Sequence, residues 1–191
     1  MSDKTIISST ESNIIYFAYG ANIDIDYMAQ VCPSAKIINF VYLPDYSIIF
    51  SGYSEVEESS VSNLIKKNKT ATPGILYSMT SFDLRTLEGL DSSVEYYASN
   101  CSPKSFDGKL YSAITHKHKN FTCRPPTEDY FNIIMAAYKE LGFNIEPLNG
   151  VYKPFKYKYT PPLKPKKSKK SKNKNMSGLG NKQKLGEAFA P

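Results

Sequence analysis

Apolar and β-branched residues are concentrated in short runs along the first two thirds of the chain. Runs of this kind, each of which predicts a β-strand, occupy residues 14–19, 36–43, 45–50, 72–79, 94–101 and 108–116. Leu43-Pro44 is a turn signal that separates the second run from the third. Residues 54–71 are acidic, then serine-rich, then lysine-rich, and this composition predicts a surface loop.

Three segments carry apolar residues at helical spacing. Residues 24–31 predict a short helix with Asp24 as its cap, and residues 80–92 predict a second, with a threonine or serine cap before Asp83. Residues 125–143 predict the longest helix. The order of these elements differs from an alternating βαβ series. It predicts an α+β fold whose curled sheet is mixed or mostly antiparallel.

The positive charge of the chain belongs to its C-terminal part. The 191 residues carry a formal net charge of +6, from 24 basic and 18 acidic residues. Residues 161–191 hold nine lysines and one glutamate, which leaves 15 basic and 17 acidic residues in 1–160. The net charge therefore gives no information about what the folded part binds.

Composition divides the chain into three parts. We predict a disordered leader at residues 1–13, a folded domain at 14–150 and a disordered, Lys/Pro-rich tail at 151–191. The lysine run of the tail predicts weak contact with nucleic acid or an anionic surface through electrostatic attraction. The same run, KPKKSKKSKNK, is also typical of a nuclear import signal.

Cysteine content and hydropathy indicate a cytoplasmic protein, and the tail suggests that it also enters the nucleus. Cys32, Cys101 and Cys123 are odd in number and form no C-x-x-C pair, so a disulfide framework is not predicted. No apolar run approaches the roughly 18 residues that a membrane span requires, and the start of the chain lacks the features of a signal peptide. The oligomeric state is left open.

The first predicted strand ends in a glycine-bearing turn, Tyr19-Gly20-Ala21-Asn22. Successive backbone N–H groups at such a turn can bind an anion or a carboxylate, and glycine permits close approach. A purely structural strand-to-helix turn is the alternative interpretation.

Four segments of the chain, in order, resemble motifs of one protein family. YFAYGAN resembles the Y-x-Y-G-S-N signature of the γ-glutamylcyclotransferase-like superfamily, with Ala21 in place of the serine. The stretches CPSAKIINFVYLPDYSIIFSGYS, PGILYSMTSFDLRTLEGLDSSVEYY and PPTEDYFNIIMAAYKELGF are similar to three further family segments. Together they cover roughly residues 14 to 145.

The resemblance implies a small mixed β-barrel flanked by helices. It also implies cleavage of γ-glutamyl amides, in which the substrate's α-amine attacks its own γ-carbonyl and 5-oxoproline is released. The implied reaction needs no metal and no cofactor. Backbone N–H groups of the turn, here Gly20, Ala21 and Asn22, would hold the γ-glutamyl group, and one carboxylate would act as general acid and base.

Two alignments propose different carboxylates. An ungapped register from Gly74 to Leu87 places Asp91 at the family's catalytic glutamate and aligns Tyr96 with a family tyrosine. A gapped register selects Glu88 instead. We favour Asp91 and keep Glu88 as the second choice.

Three tyrosines, Tyr19, Tyr96 and Tyr130, are candidates for lining the pocket, with core packing as the alternative. His116 and His118 share one face of a predicted strand, but no third ligand is evident and lysines are interleaved, so no metal site is predicted.

The departures from the family motifs leave an alternative function open: an inactive family member that serves as a binding or scaffold protein, with its basic tail contacting acidic partners.

Overall fold

The structure is a computed structural model, and it describes residues 13–149. Its strands are β1 (Ile14–Ala18), β2 (Lys36–Ser54), β3 (Ser59–Met79), β4 (Tyr96–Cys101), β5 (Lys104–Ser105) and β6 (Ala113–His118). Its helices are α1 (Ile25–Val31), α2 (Ser81–Gly89), α3 (Glu128–Glu140) and α4 (Glu146–Asn149), with a 3₁₀ helix at Ala21–Ile23. The predicted leader, apart from Asn13, and the predicted tail lie outside the described residues.

The strands form one mixed sheet in the order β4-β6-β1-β3-β2-β5. β1 runs parallel to β6 and antiparallel to β3, and the remaining neighbours are antiparallel. The predicted α+β class with a mixed sheet is therefore confirmed. The sheet is not closed into a complete barrel, because β4 and β5 at its two ends do not pair with each other within residues 13–149.

The turn predicted at Leu43-Pro44 is wrong, because β2 continues through it. The register of β2 against β3 shifts between Pro44 and Tyr46, and Asp45 has a φ of 58°. A bulge suits this position, since proline has no N–H to donate to the ladder and aspartate tolerates left-handed backbone better than most residues.

The surface loop predicted at 54–71 is also wrong, since only residues 55–58 form a turn and β3 begins at Ser59. The serine-rich start of β3 is buried, which composition alone does not suggest. Its polar side chains are satisfied by distant partners: Ser60 Oγ donates to the carbonyl of Arg124 at 2.8 Å, and Asn63 Nδ2 donates to the carbonyl of His118 at 3.0 Å. Tertiary hydrogen bonds therefore allow a polar segment to form a buried strand.

The three predicted helices are confirmed, with boundaries set by their caps. Asp24 caps α1 by accepting from the amide of Tyr27 at 3.0 Å. Thr127 caps α3, and Gly142, with a φ of 67°, follows its end. The apolar side of α3, including the fully buried Ile134, packs into one core with residues of β1, β2 and β3. Within residues 13–149, none of the helices has the length and apolar character needed to cross a membrane.

Helix α2 begins with a capping box that is tied to the loop after α1. Thr80 Oγ1 accepts from the amide of Asp83 at 3.1 Å, and the Asp83 carboxylate accepts from the amide of Thr80 at 3.0 Å. Asp83 is 2% exposed and also accepts from the hydroxyl of Ser34. Burial raises the pKa of this carboxyl, but the hydrogen bonds from Ser34 and Thr80 outweigh it and hold the pKa below its usual range.

We expect Asp83→Ala to lower the free energy of unfolding by about 2 kcal/mol at neutral pH, because it removes the Asp83 half of the capping box and leaves the donors of Thr80 and Ser34 unpaired. Since the folded-state pKa is depressed, this contribution is fully present above pH ~4 and is lost as the pH falls through the folded value. Urea unfolding of the wild type and the variant, at neutral and acidic pH, measures both effects.

Thr86→Ala is the matched control, because Thr86 lies in α2 but does not cap it. Its effect should stay within about 0.5 kcal/mol. Equal losses in the two variants would contradict a specific role for the cap.

Candidate functional site

The turn after β1 has the local structure that a binding turn requires. Ile23 N donates to Gly20 O and Asp24 N donates to Ala21 O, each at 3.0 Å, which forms the 3₁₀ helix. The amide groups of Ala21 and Asn22 have no acceptor within residues 13–149. Two adjacent N–H donors are therefore available at the end of β1.

Gly20 is required by close packing against β3. A Cβ added at this position would lie 1.9 Å from Ser62 Oγ on β3. The absence of a side chain therefore lets the turn rest directly on β3.

Tyrosine hydroxyls connect the turn to the neighbouring elements. Tyr19 Oη donates to the carbonyl of His116 at 2.9 Å, and Tyr16 Oη accepts from Asn22 Nδ2 at 3.1 Å. Tyr130 on α3 lies 3.3 Å from both the amide and the hydroxyl of Ser62. Burial raises the pKa of each of the three tyrosines, so their phenols stay neutral at physiological pH.

Asp91 follows the end of α2 and is half-buried. Its carboxylate accepts from the hydroxyls of Ser54 and Ser93 and, at 3.0 Å, from the amide of Ser93. The strand β2 and the segment after α2 together hold this carboxylate in one orientation.

A second acidic residue, Glu57, lies in the turn between β2 and β3. Its amide donates to Ser54 Oγ at 2.9 Å, so the same hydroxyl contacts both the Glu57 backbone and Asp91. Although Glu57 as a whole residue is exposed, it lines the pocket. Burial there, together with the charge of Asp91, raises the pKa of its carboxyl. The sequence offered no signal for this residue, because its segment was predicted as a surface loop.

Glu88 occupies a different position from Asp91. It lies in α2 with its side chain 45% exposed, and Glu88 Oε1 is 3.2 Å from His116 Nε2. It does not contribute to the lining of the pocket, whereas its partner His116 does.

The structure brings the predicted site residues together around one pocket of about 170 Å³. The predicted residues in its lining are Tyr19, Gly20, Ala21, Asn22, Asp91, Tyr96 and Tyr130. Of the predicted set, Glu88 alone is absent from the lining. Polar or ionisable lining residues that the sequence did not assign to the site are Tyr16, Tyr27, Glu57, Ser62 and His116.

Comparison with known proteins gives a consistent similarity. No protein-family model matches the chain. Human γ-glutamylcyclotransferase is 23% identical over 150 residues, covering 75% of this chain and 79% of that protein. Bovine γ-glutamylcyclotransferase is 24% identical over 146 residues, covering 73% of this chain and 77% of that protein.

Solved structures show the same likeness in three dimensions. A structure described as a γ-glutamyl cyclotransferase has a TM-score of 0.67 at 22% identity and covers 78% of this chain and 92% of its own. An uncharacterized human protein also has a TM-score of 0.67, at 23% identity, with 77% and 92% covered. The resemblance to the γ-glutamylcyclotransferase-like superfamily is therefore confirmed, and the chain has the fold of that superfamily.

Proposed function

We propose that the protein is a γ-glutamylcyclotransferase that releases 5-oxoproline from a γ-glutamyl amide. The observation that carries this proposal is the convergence of Asp91 and the Gly20–Asn22 turn on one pocket, although they are far apart in the sequence. The similarity to two proteins of that name supports it.

The reaction requires the pocket to hold its substrate in a folded-back conformation. The α-amine nitrogen attacks the γ-carbonyl carbon, a new C–N bond closes the five-membered ring, and the original amide C–N bond breaks. Nucleophile and electrophile belong to one molecule, so orientation alone supplies much of the rate advantage. No water molecule is consumed, and the products are 5-oxoproline and a free amine or amino acid.

Substrate binding is assigned to the turn after β1 and to the tyrosine wall, which consists of Tyr19, Tyr96 and Tyr130. The amide groups of Ala21 and Asn22, which have no acceptor within residues 13–149, are suited to donate hydrogen bonds to an oxygen of the γ-glutamyl group. The Tyr19 and Tyr130 hydroxyls are already engaged with backbone and side-chain partners, so these rings act as rigid walls of neutral phenol. Tyr96, half-buried, completes the wall on β4.

Proton transfer is assigned to Asp91. The α-ammonium must lose a proton before attack, and the leaving nitrogen must gain one, so a single carboxylate can carry the proton between them. Asp91 lies in the pocket lining, while Glu88 points to His116 and lies outside it. The structure therefore favours the ungapped register in this proposal.

We expect Asp91→Asn to reduce 5-oxoproline release by about 10²-fold or more, because acid–base catalysis typically contributes that much. Glu88→Gln should cost much less at neutral pH. Mass spectrometry of 5-oxoproline released from γ-glutamyl dipeptides, γ-glutamyl-lysine and glutathione measures the effect.

Asp26→Asn, an exposed aspartate in α1, is the matched control and should retain wild-type activity. If Glu88→Gln abolishes activity and Asp91→Asn does not, the assignment to Asp91 fails and the gapped register is correct. If wild type releases no product from any substrate, the cyclotransferase proposal fails and a binding or scaffold role replaces it.

Gly20→Ala should weaken catalysis, because its new methyl group would overlap Ser62 Oγ and displace the turn. The expected result is a raised KM together with a loss of about 1–3 kcal/mol in the free energy of unfolding. Adding Ser62→Ala removes the overlapping oxygen. The double variant should therefore have a lower KM and a higher free energy of unfolding than Gly20→Ala alone. A Gly20→Ala variant with unchanged kinetics would contradict substrate binding by this turn.

A further inference from the structure

His116 forms part of the pocket wall but has no role in the proposed proton transfer. It lies on β6, is 7% exposed and lines the pocket. Its ring is held between aromatic neighbours, with centroid separations of 5.3 Å to Tyr16 and 6.3 Å to Tyr96. Its carbonyl also accepts from Tyr19 Oη at 2.9 Å. The ring therefore has one well-defined position.

Glu88 determines which ring nitrogen of His116 is free. Because Glu88 Oε1 lies 3.2 Å from His116 Nε2, the neutral ring donates Nε2–H to this carboxylate. Nδ1 then carries the lone pair, and the hydrogen bonds within residues 13–149 engage the His116 ring only through Nε2. In this tautomer, a residue that lines the pocket has one ring acceptor with no partner among residues 13–149.

The surroundings keep the ring neutral at physiological pH. Burial lowers the pKa of His116, and the hydrogen bond and charge of Glu88 only partly oppose that effect. The other ionisable groups are Tyr16 on β1, Tyr19 directly after β1 and Tyr96 on β4, together with Asp91 and Glu57 in the same pocket lining.

We propose that His116 binds the α-amino group of the substrate through Nδ1 and that Glu88 acts as the positioning residue that orients it. This inference rests on the proposed function and adds a residue that determines specificity. A γ-glutamyl amide carries an α-ammonium, which donates to a neutral imidazole nitrogen and is repelled by an imidazolium. The pocket therefore selects ligands that have this amine, and the selection weakens on acidification.

The test compares γ-glutamyl-alanine with glutaryl-alanine, an analogue that lacks only the α-amine. In the wild type, kcat/KM for γ-glutamyl-alanine should decrease at acidic pH as His116 gains a proton. This decrease is the acid limb of the pH profile. The inhibition constant of glutaryl-alanine should lack this acid limb. Glu88→Gln removes the interactions that favour the protonated ring, so the limb should move to lower pH.

His116→Asn should remove the part of the limb that depends on His116, leaving any contribution of Asp91, and reduce the preference for the amine-bearing ligand by about 10- to 100-fold, the value of one hydrogen bond to a charged group. His118→Asn is the matched control, because His118 lies two residues further along β6 and does not line the pocket. It should retain both the limb and the preference. Glu88 is partly exposed, so Glu88→Gln tests the inference even if a His116 variant fails to fold.

An acid limb that is unchanged in both His116→Asn and Glu88→Gln would overturn the inference, as would equal pH dependence for the two ligands. If wild type shows no turnover, the proposed function fails separately. Calorimetric binding of the two ligands then decides whether His116 recognises the amine. Failure to bind γ-glutamyl-alanine at all would overturn both proposals.

Discussion

Two serine hydroxyls join the segments that carry the acidic groups of the pocket. Ser54 Oγ donates to Asp91 and accepts from the amide of Glu57 at 2.9 Å. Ser93 Oγ also donates to Asp91, and it accepts from the amide of Glu55 at 2.8 Å. The tip of the β2–β3 hairpin and the segment after α2 therefore form one hydrogen-bonded unit. The position of the Asp91 carboxylate, and with it the shape of the pocket, depends on this unit.

The opposite side of the pocket is built by packing rather than by charge. Gly20 rests against Ser62, and Ser62 in turn contacts the hydroxyl of Tyr130. In the pocket lining, the neutral phenols of the tyrosines and the imidazole of His116 surround the carboxylates of Asp91 and Glu57. Each carboxylate charge therefore acts in surroundings of reduced polarity. This arrangement suits a reaction that moves one proton within a single small substrate.

Local sequence signals predicted the helices and the turn well. Asp24, Thr80 and Thr127 cap their helices through hydrogen bonds to residues three positions away, and such contacts follow from sequence spacing. The turn predicted at Leu43-Pro44 was wrong because a bulge at Asp45 accommodates the proline within β2. The loop predicted at 54–71 was wrong because of distant hydrogen bonds. Serine and asparagine favour loops unless distant partners satisfy them, and here those partners, such as Arg124 and His118, come from other parts of the chain.

The sequence by itself determined the turn at Gly20–Asn22 and the helix that precedes Asp91, because each depends on residues close together in the chain. It also determined the family resemblance, because each of the four motifs is a short continuous segment. Tertiary structure alone decided that Asp91 lines the pocket while Glu88 faces His116. It also decided that Glu57 belongs to the pocket, since the pairing of β2 with β3 brings its turn there. Distances between side chains on separate elements depend on sheet register and packing, and no local pattern of residues encodes them.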